Sequence, residues 1–310
     1  MQTQKQDRFT GSVMVLVSAI AFSSKAIIVK LAYAYHVDAA TLIALRMAFS
    51  VPFFIGLAIW GLLSAPLPKL TVADFWALVC LAAVGGYGSM WLNFEGLSYV
   101  SAGLERVILF LYPTIVVVLS AVLFKHHITK RELFALAASY MGVILVVWHD
   151  VSLPAASSAS AHTLLGAGLV LASAIVYAVY LVYSGKLIPR LGATLFTSYT
   201  MLIATLASAI HFATTANVRA AMHLPSQVYW LSLLMAVVAT VLPAILMNAG
   251  IHRLGSSKAA LISSVGPVAT ILLAYAFLGE KVTGVQLAGT ALVLTGFLAI
   301  SLAKKPGVNA

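Results

Sequence analysis

The sequence predicts an all-α polytopic membrane protein whose ten transmembrane helices form two inverted five-helix repeats. Three observations lead there. Of the 310 residues, 62% are hydrophobic and 8% charged, against about 45–50% and about 25% in a soluble domain. Ten apolar runs each reach the roughly 20 residues a bilayer core demands. The second half of the chain also repeats the first at a nearly constant offset. With 18 Lys+Arg and 8 Asp+Glu, the chain has too little charge for a water-soluble surface, which excludes a soluble globular protein, a disordered tail or a nucleic-acid binder.

In chain order the spans fall near 11–33, 40–63, 73–95, 101–124, 131–148, 163–184, 192–213, 227–249, 257–278 and 283–303. Punctuation separates them: Ala65-Pro66-Leu67-Pro68-Lys69, Lys125-His126-His127, the Ser/Ala-rich stretch 152–162, and Ile188-Pro189-Arg190. The first span is too long for a signal-peptide core and lacks a small-residue cleavage site, so it is expected to stay. The single cysteine, Cys80, rules out an internal disulfide and reads as a buried hydrophobe. Short loops leave no room for a nucleotide-binding or catalytic domain.

Cations set the orientation. With the N-terminus in the cytoplasm, that side collects Lys5, Arg8, Lys69, Lys125, Lys130, Arg131, Lys186, Arg190, Arg253, Lys258, Lys304 and Lys305. The opposite loops keep Lys30, Arg219 and Lys281. This bias puts both termini inside. Most of the formal net charge of +10 is therefore a topogenic signal.

The duplication divides the chain into 1–150 and 151–310. Val15-Leu16-Val17-Ser18-Ala19-Ile20 recurs as Val170-Leu171-Ala172-Ser173-Ala174-Ile175, and Ala40-Thr41-Leu42 as Ala193-Thr194-Leu195. From Gly96 onward an ungapped offset pairs Gly96 with Gly250, Ile108 with Ile262, Pro113 with Pro267, Thr129 with Thr283 and Gly142 with Gly296. Five spans per repeat is an odd number, so the second copy enters the membrane upside down. A pseudo-two-fold axis in the membrane plane is the geometry of alternating access around a midplane site.

Several elements together carry a family likeness. They are the two five-helix repeats, Leu45-Arg46-Met47 early in the second span, the prolines Pro113 and Pro267, and Leu278-Gly279-Glu280-Lys281-Val282-Thr283 leading to Gly289 and Gly296. In these the chain resembles, over essentially its whole length, the EamA family of the drug/metabolite transporter superfamily. It is most similar to bacterial inner-membrane exporters of aromatic amino acids and related metabolites. The resemblance implies a multi-pass inner-membrane exporter. In the first repeat His126 stands where the second has Glu280, so a role for that glutamate is not duplicated and reads as loop-structural.

Ionisable groups inside spans are expensive and mark function by default. Lys25, Arg46, Glu95, Glu105 and Arg106 fall within about 12 Å of the outer face at about 1.5 Å per residue. Glu95 and the Glu105-Arg106 pair read either as interfacial helix caps or as members of a shared cavity. Arg46 reads as a site residue or as the ion-pair partner of Glu95 or Glu105. The second repeat offers aromatics instead: Ser173, Tyr177, Tyr180 and Ser184 share one helical face. The duplication sets Lys25 against Tyr180 and Arg46 against Tyr199. Trp91 and Asn93 in the third span, with Asn248 matched to Asn93, complete the expected substrate-binding set of Lys25, Arg46, Trp91, Asn93, Glu95, Tyr177, Tyr180, Tyr199 and Asn248. Pro113 and Pro267 read as kinks or gating hinges. Gly85, Gly86, Gly88, Gly103, Gly166, Gly168, Ser263 and Ser264 read as packing positions, and His252 as a solvated loop residue.

No phosphate-binding glycine loop, metal motif or nucleophile–base pair appears in the sequence, so no cofactor, metal or enzymatic activity is expected. The expectation is a secondary transporter, monomer or homodimer in the lipid bilayer, exporting a hydrophobic or aromatic amino acid or similar small metabolite. Lys25 and Arg46 would take its carboxylate. A nucleotide-sugar or other metabolite or drug carrier is the alternative within transport; a lipid-handling protein or intramembrane enzyme is the alternative outside it.

Overall fold

The computed structural model describes residues 2–64, 70–125, 128–152, 157–215, 221, 223–254 and 256–301. Among them, ten helices are long and apolar enough to cross a membrane: α1 (Phe9–Tyr33), α2 (Ala39–Ser64), α3 (Val72–Tyr99), α4 (Ala102–Leu123), α5 (Lys130–Ser152), α6 (Ala161–Leu191), α7 (Ala193–Thr215), α8 (Ser226–Leu254), α9 (Leu261–Leu278) and α10 (Gly284–Ser301). No strand occurs among the described residues. Helices satisfy every backbone polar group internally, which hydrocarbon requires. The chain is an all-α polytopic membrane protein. Large apolar side chains such as Trp60, Leu63, Trp148 and Trp230 point outward, as a lipid-facing surface allows.

The chain's own side chains cap the helix starts. Asp38 accepts from Thr41 N at 2.9 Å and opens α2. Thr71 and Asp74 form a reciprocal capping box on α3, and Asp74 also pairs with Arg190 of α6 at 2.5 Å. Thr129 and Glu132 cap α5 in the same way. Residues 154 further on, Thr283 Oγ1 accepts from Gln286 N at 3.1 Å at the start of α10. Glu280 reaches across from the α9–α10 loop to accept from Ala102 N (2.9 Å) and Gly103 N (3.4 Å). A carboxylate at the exposed amides of a helix N-terminus is favourable electrostatically, which gives Glu280 a structural role.

Glycines and serines bring the helices together in matched pairs. A Cβ on Gly96 of α3 would lie 2.7 Å from Val170 Cγ2 and 3.0 Å from Gly166 O of α6, while Gly250 of α8 meets Val15 and Gly11 of α1. Gly142 of α5 faces Gly289 O of α10 at 2.5 Å from an ideal Cβ, and Gly296 faces Ala135 O of α5 at 2.5 Å. Ser18 donates to Pro243 O and Ser173 to Ser89 O, each at 2.7 Å. Small-residue contacts of this kind replace the hydrophobic driving force that lipid removes.

Four segments depart from regular α-helix. Leu81–Gly88 within α3 and Val237–Val241 within α8 are π-helical. The helices α4 and α9 are interrupted at Phe110-Leu111 and Ser264-Val265. Pro113 and Pro267 each sit in the first turn of the half-helix that follows. There the missing N–H has no intrahelical acceptor to lose. The expected kink is thus a break, and the prolines restart the helix instead of bending it.

Several expectations are corrected. The helix of α6 begins at Ser157 and runs through Pro189 to Leu191, so neither the Ser/Ala stretch beyond 157 nor Ile188-Pro189-Arg190 is a break; Gly192, at φ +77, ends it. His252 lies in the last turn of α8, and α3 extends past Glu95 to Tyr99. Cys80 is exposed, because on a lipid-facing helix surface an apolar group gains nothing from burial. Gly168 has open space where a Cβ would stand and holds no helix contact. The breaks at 65–69 and 126–127 and the cations Lys69, Arg219, Lys304 and Lys305 lie outside the described residues.

Two alanine substitutions separate packing glycines from idle ones. Gly289→Ala drives a Cβ against Val146 and Gly142 O and is expected to cost about 1–3 kcal/mol. Gly168→Ala is expected to be neutral or to stabilise by up to about 1 kcal/mol. Thermal unfolding in detergent, followed by circular dichroism, checks both; equal effects would contradict the glycine-mediated α5–α10 contact.

Candidate substrate cavity

A cavity of about 570 Å³ lies among the helices of both halves. Phe22 and Lys25 of α1, Arg46 of α2, Ser89, Met90 and Asn93 of α3 and Arg106 of α4 line it. From the second half come Ser173, Tyr177 and Tyr180 of α6, Thr200 and Met201 of α7, Ala239 and Met247 of α8, and Phe297 of α10. The irregular segments build much of this wall. The π-segment of α3 places Gly85 where a Cβ would meet Tyr180 Cβ at 2.7 Å, so only the bare backbone lets the tyrosine approach. The break in α4 presents Phe110 and Tyr112 to the interior. π-Segments are frequent at functional sites because they displace side chains and free carbonyls. Here Ser89 Oγ donates to the freed Gly85 O at 2.5 Å and Thr240 Oγ1 to Met235 O at 3.0 Å.

Charge enters from α1, α2 and α4. Lys25 Nζ donates to Asn93 Oδ1 at 2.6 Å and pairs with Glu105 Oε1 at 3.5 Å. Asn93 Nδ2 donates to the same Glu105 oxygen at 2.7 Å. Arg46 is buried; its Nε donates to Thr240 Oγ1 in the π-segment of α8 at 3.0 Å, and its guanidinium lies 5.7 Å from the Phe94 ring centre. Arg106 lies 5.6 Å over the Phe110 ring and fits because residue 266 is glycine: a Cβ there would stand 2.9 Å from Nη2. Its Nε is buried and without a partner among the described residues. Neither arginine forms an ion pair among the described residues. Three cations thus face the cavity, with one carboxylate touching one of them.

Aromatic rings form a continuous second surface. Phe297, Phe110, Tyr112, Tyr177, Tyr180 and Phe196 succeed one another at centroid distances between 5.2 and 6.2 Å. Such a cavity can hold an anionic head against guanidinium and ammonium groups and an apolar or aromatic body against rings.

The structure gathers Lys25, Arg46, Asn93, Tyr177 and Tyr180 at this cavity and leaves four expected residues elsewhere. Tyr199 packs with Leu70, Leu78 and Ile203 in a separate small pocket. Asn248 is exposed. Trp91 sets its ring against the edge of His211. Glu95 accepts from Tyr99 of its own helix at 3.3 Å. Tyr199 and Asn248 fail for one reason: the residues in their places are Thr200 and Met247, each 154 positions from Arg46 and Asn93. An error of one residue turns a helical side chain by about 100°. Arg46 pairs with neither Glu95 nor Glu105. Glu105, which the sequence left as either an interfacial cap or a member of a shared cavity and outside the expected substrate-binding set, is fully buried beside Lys25.

The fold and the cavity define a polytopic membrane protein with a solute-sized chamber, lined by cations and aromatic rings, among its spans. The chain belongs to the EamA-like transporter family, whose pattern it matches twice, over residues 9–148 and 164–302, and so to the drug/metabolite transporter superfamily. It is 31% identical over 296 residues to "Uncharacterized transporter YcbK" of Bacillus subtilis (strain 168), covering 93% of this chain and 91% of that one. It is 25% identical to "Uncharacterized transporter YyaM" of the same organism over 72% of each. A crystal structure 16% identical in sequence shares the fold, with a TM-score of 0.62 over 95% of this chain and 98% of its own.

Removing the buried carboxylate alone leaves Lys25 unpaired. Glu105→Leu is expected to lower stability by about 3 kcal/mol, and Lys25→Met/Glu105→Leu to recover most of the loss. A double-mutant cycle on detergent unfolding midpoints measures this; additive single effects would show that the pair does not interact.

Proposed function

We propose that this transporter moves small carboxylate-bearing solutes with apolar or aromatic bodies, foremost hydrophobic and aromatic amino acids, by alternating access. One observation carries the reading: Lys25, Arg46 and Arg106 face a cavity of about 570 Å³, and among the described residues a single carboxylate, Glu105 behind Lys25, pairs with one of them. Cations without counter-ions in an apolar interior attract an anion. The volume suits a small metabolite, and the rings of Phe297, Phe110, Tyr112, Tyr177 and Tyr180, all of which line the cavity, supply the surface for its side chain. A cationic drug would meet the wrong sign of charge.

In this reading residues 1–150 and 151–310 are inverted repeats, and the matched α1–α8 and α6–α3 contacts support it. Both termini lie in the cytoplasm and the chain resides in the bacterial inner membrane, as the distribution of loop cations suggests. Pro113 and Pro267 mark the helix breaks at which α4 and α9 can pivot. Export is the direction that the family likeness favours.

Proteoliposomes test the substrate. Labelled phenylalanine or tryptophan is expected to equilibrate faster than in empty vesicles. Arg46→Ala is expected to weaken apparent affinity by about 2 kcal/mol, roughly 30-fold. Flux at the empty-vesicle rate, or flux unaltered by both Lys25→Ala and Arg46→Ala, would remove this assignment.

A further inference from the structure

Glu105 is a carboxylate whose link to the cavity runs through a lysine and an amide. Its side chain is 0% exposed, Oε1 is shared between Lys25 Nζ and Asn93 Nδ2, and Oε2 has no partner among the described residues. Lys25 is 18% exposed and lines the cavity. One ammonium therefore stands between the buried carboxylate and whatever occupies the chamber. The other charged side chains and histidines on the elements packed around Glu105 are Lys30 on α1, Glu95 on the Ser89–Tyr99 segment of α3, Arg106 on its own helix, Lys130, Arg131 and Glu132 on α5, and His162, Lys186 and Arg190 on α6, with Arg46 on α2 beside the cavity and Glu280 over the α4 N-terminus. His149 and Asp150 of α5 pair with each other at 3.2 Å. None of these replaces Lys25 as a counter-ion, because no other ion pair to Glu105 forms among the described residues.

We propose that the Lys25–Glu105 pair is a proton-binding site linked to cavity occupancy, so that the substrate crosses the membrane together with a proton. The inference rests on the carboxylate-bearing substrate proposed above. In the empty state the Glu105 carboxylate is neutralised by the Lys25 ammonium. An arriving substrate carboxylate takes that ammonium as its own partner. Glu105, fully buried and with no replacement, then accepts a proton from water on its free oxygen. Lys25 keeps all three of its protons. For a monocarboxylate such as 3-phenylpropionate one negative charge and one proton enter together, so the occupied cavity has the same net charge as the empty one. A zwitterionic amino acid brings an ammonium of its own and leaves the cavity one positive charge richer. By linkage, ligand and proton each strengthen the binding of the other. With one proton taken up per ligand, affinity rises as pH falls, by up to about tenfold per unit. An inward proton gradient then favours inward movement, and export runs on an outward gradient of the substrate itself.

Two measurements test this, one of them independent of any ligand. In the first, purified transporter in weakly buffered detergent receives 3-phenylpropionate, a carboxylate with no ammonium of its own, while a pH indicator reports on the solution. The wild type is expected to take up close to one proton per ligand bound, and Glu105→Gln none. In the second, infrared spectra are recorded at neutral pH for Lys25→Met and Lys25→Gln, which remove the ammonium as a ligand would. Both are expected to show the carbonyl stretch of a protonated carboxyl group, absent from Lys25→Met/Glu105→Gln. Ligand binding without proton uptake, or lysine variants lacking the carbonyl band, would overturn the proton site. If 3-phenylpropionate does not bind while the band is present, the substrate assignment falls and the proton site stands.

Discussion

A charge inside hydrocarbon needs either a partner or water, and this fold is arranged around that requirement. Lys25, Asn93 and Glu105 come from three different helices and meet within hydrogen-bonding distance. Their meeting requires the start of α4 to be drawn inside, where Ala102 and Glu105 are fully buried. A buried helix start leaves amides unsatisfied, and Glu280 supplies their acceptor from the far half of the chain. The close approach of Arg106 to Gly266 follows from the same placement. The charged cluster, the cap and the glycine form one construction.

Irregular backbone within a membrane is tolerated only where protein or cavity water satisfies it. The π-segments of α3 and α8 and the breaks of α4 and α9 obey this rule, since each contributes to the cavity or borders it. Ser89 and Thr240 each donate to a carbonyl the π-turns release, and Thr240 additionally accepts from Arg46. The side chain that heals the backbone defect of α8 also orients a cavity cation. The regular pairs, α5 with α10 above all, show the opposite design, with glycine against backbone carbonyl and a buried hydroxyl, Ser139, beside Gly296.

Hydropathy made the ten spans legible in the sequence, because a bilayer imposes length and apolarity on every helix. The duplicated glycines and serines were legible for a related reason: the same contact is built twice. Lys25, Arg46, Asn93, Tyr177 and Tyr180 emerged as polar or aromatic groups at mid-span. Tyr199 and Asn248 did not survive, because an offset that slips by one residue between helices rotates a side chain off its face. Glu105 was legible as an ionisable group within a span but not in its role, since a carboxylate near a helix start resembles an interfacial cap until the helix is seen to begin inside the protein. The π-segments left little trace beyond the Gly85-Gly86 and Gly88 cluster in α3, and α8 adopts the same geometry without any glycine in Val237–Val241.

The central claim is that the cavity selects an anionic head and an aromatic body through Lys25, Arg46 and Arg106. Isothermal titration of the purified transporter with phenylalanine, 3-phenylpropionate and phenethylamine isolates the carboxylate from the ammonium on one ring. The account predicts that the two carboxylates bind and the amine does not. Binding of phenethylamine with no binding of 3-phenylpropionate would contradict it.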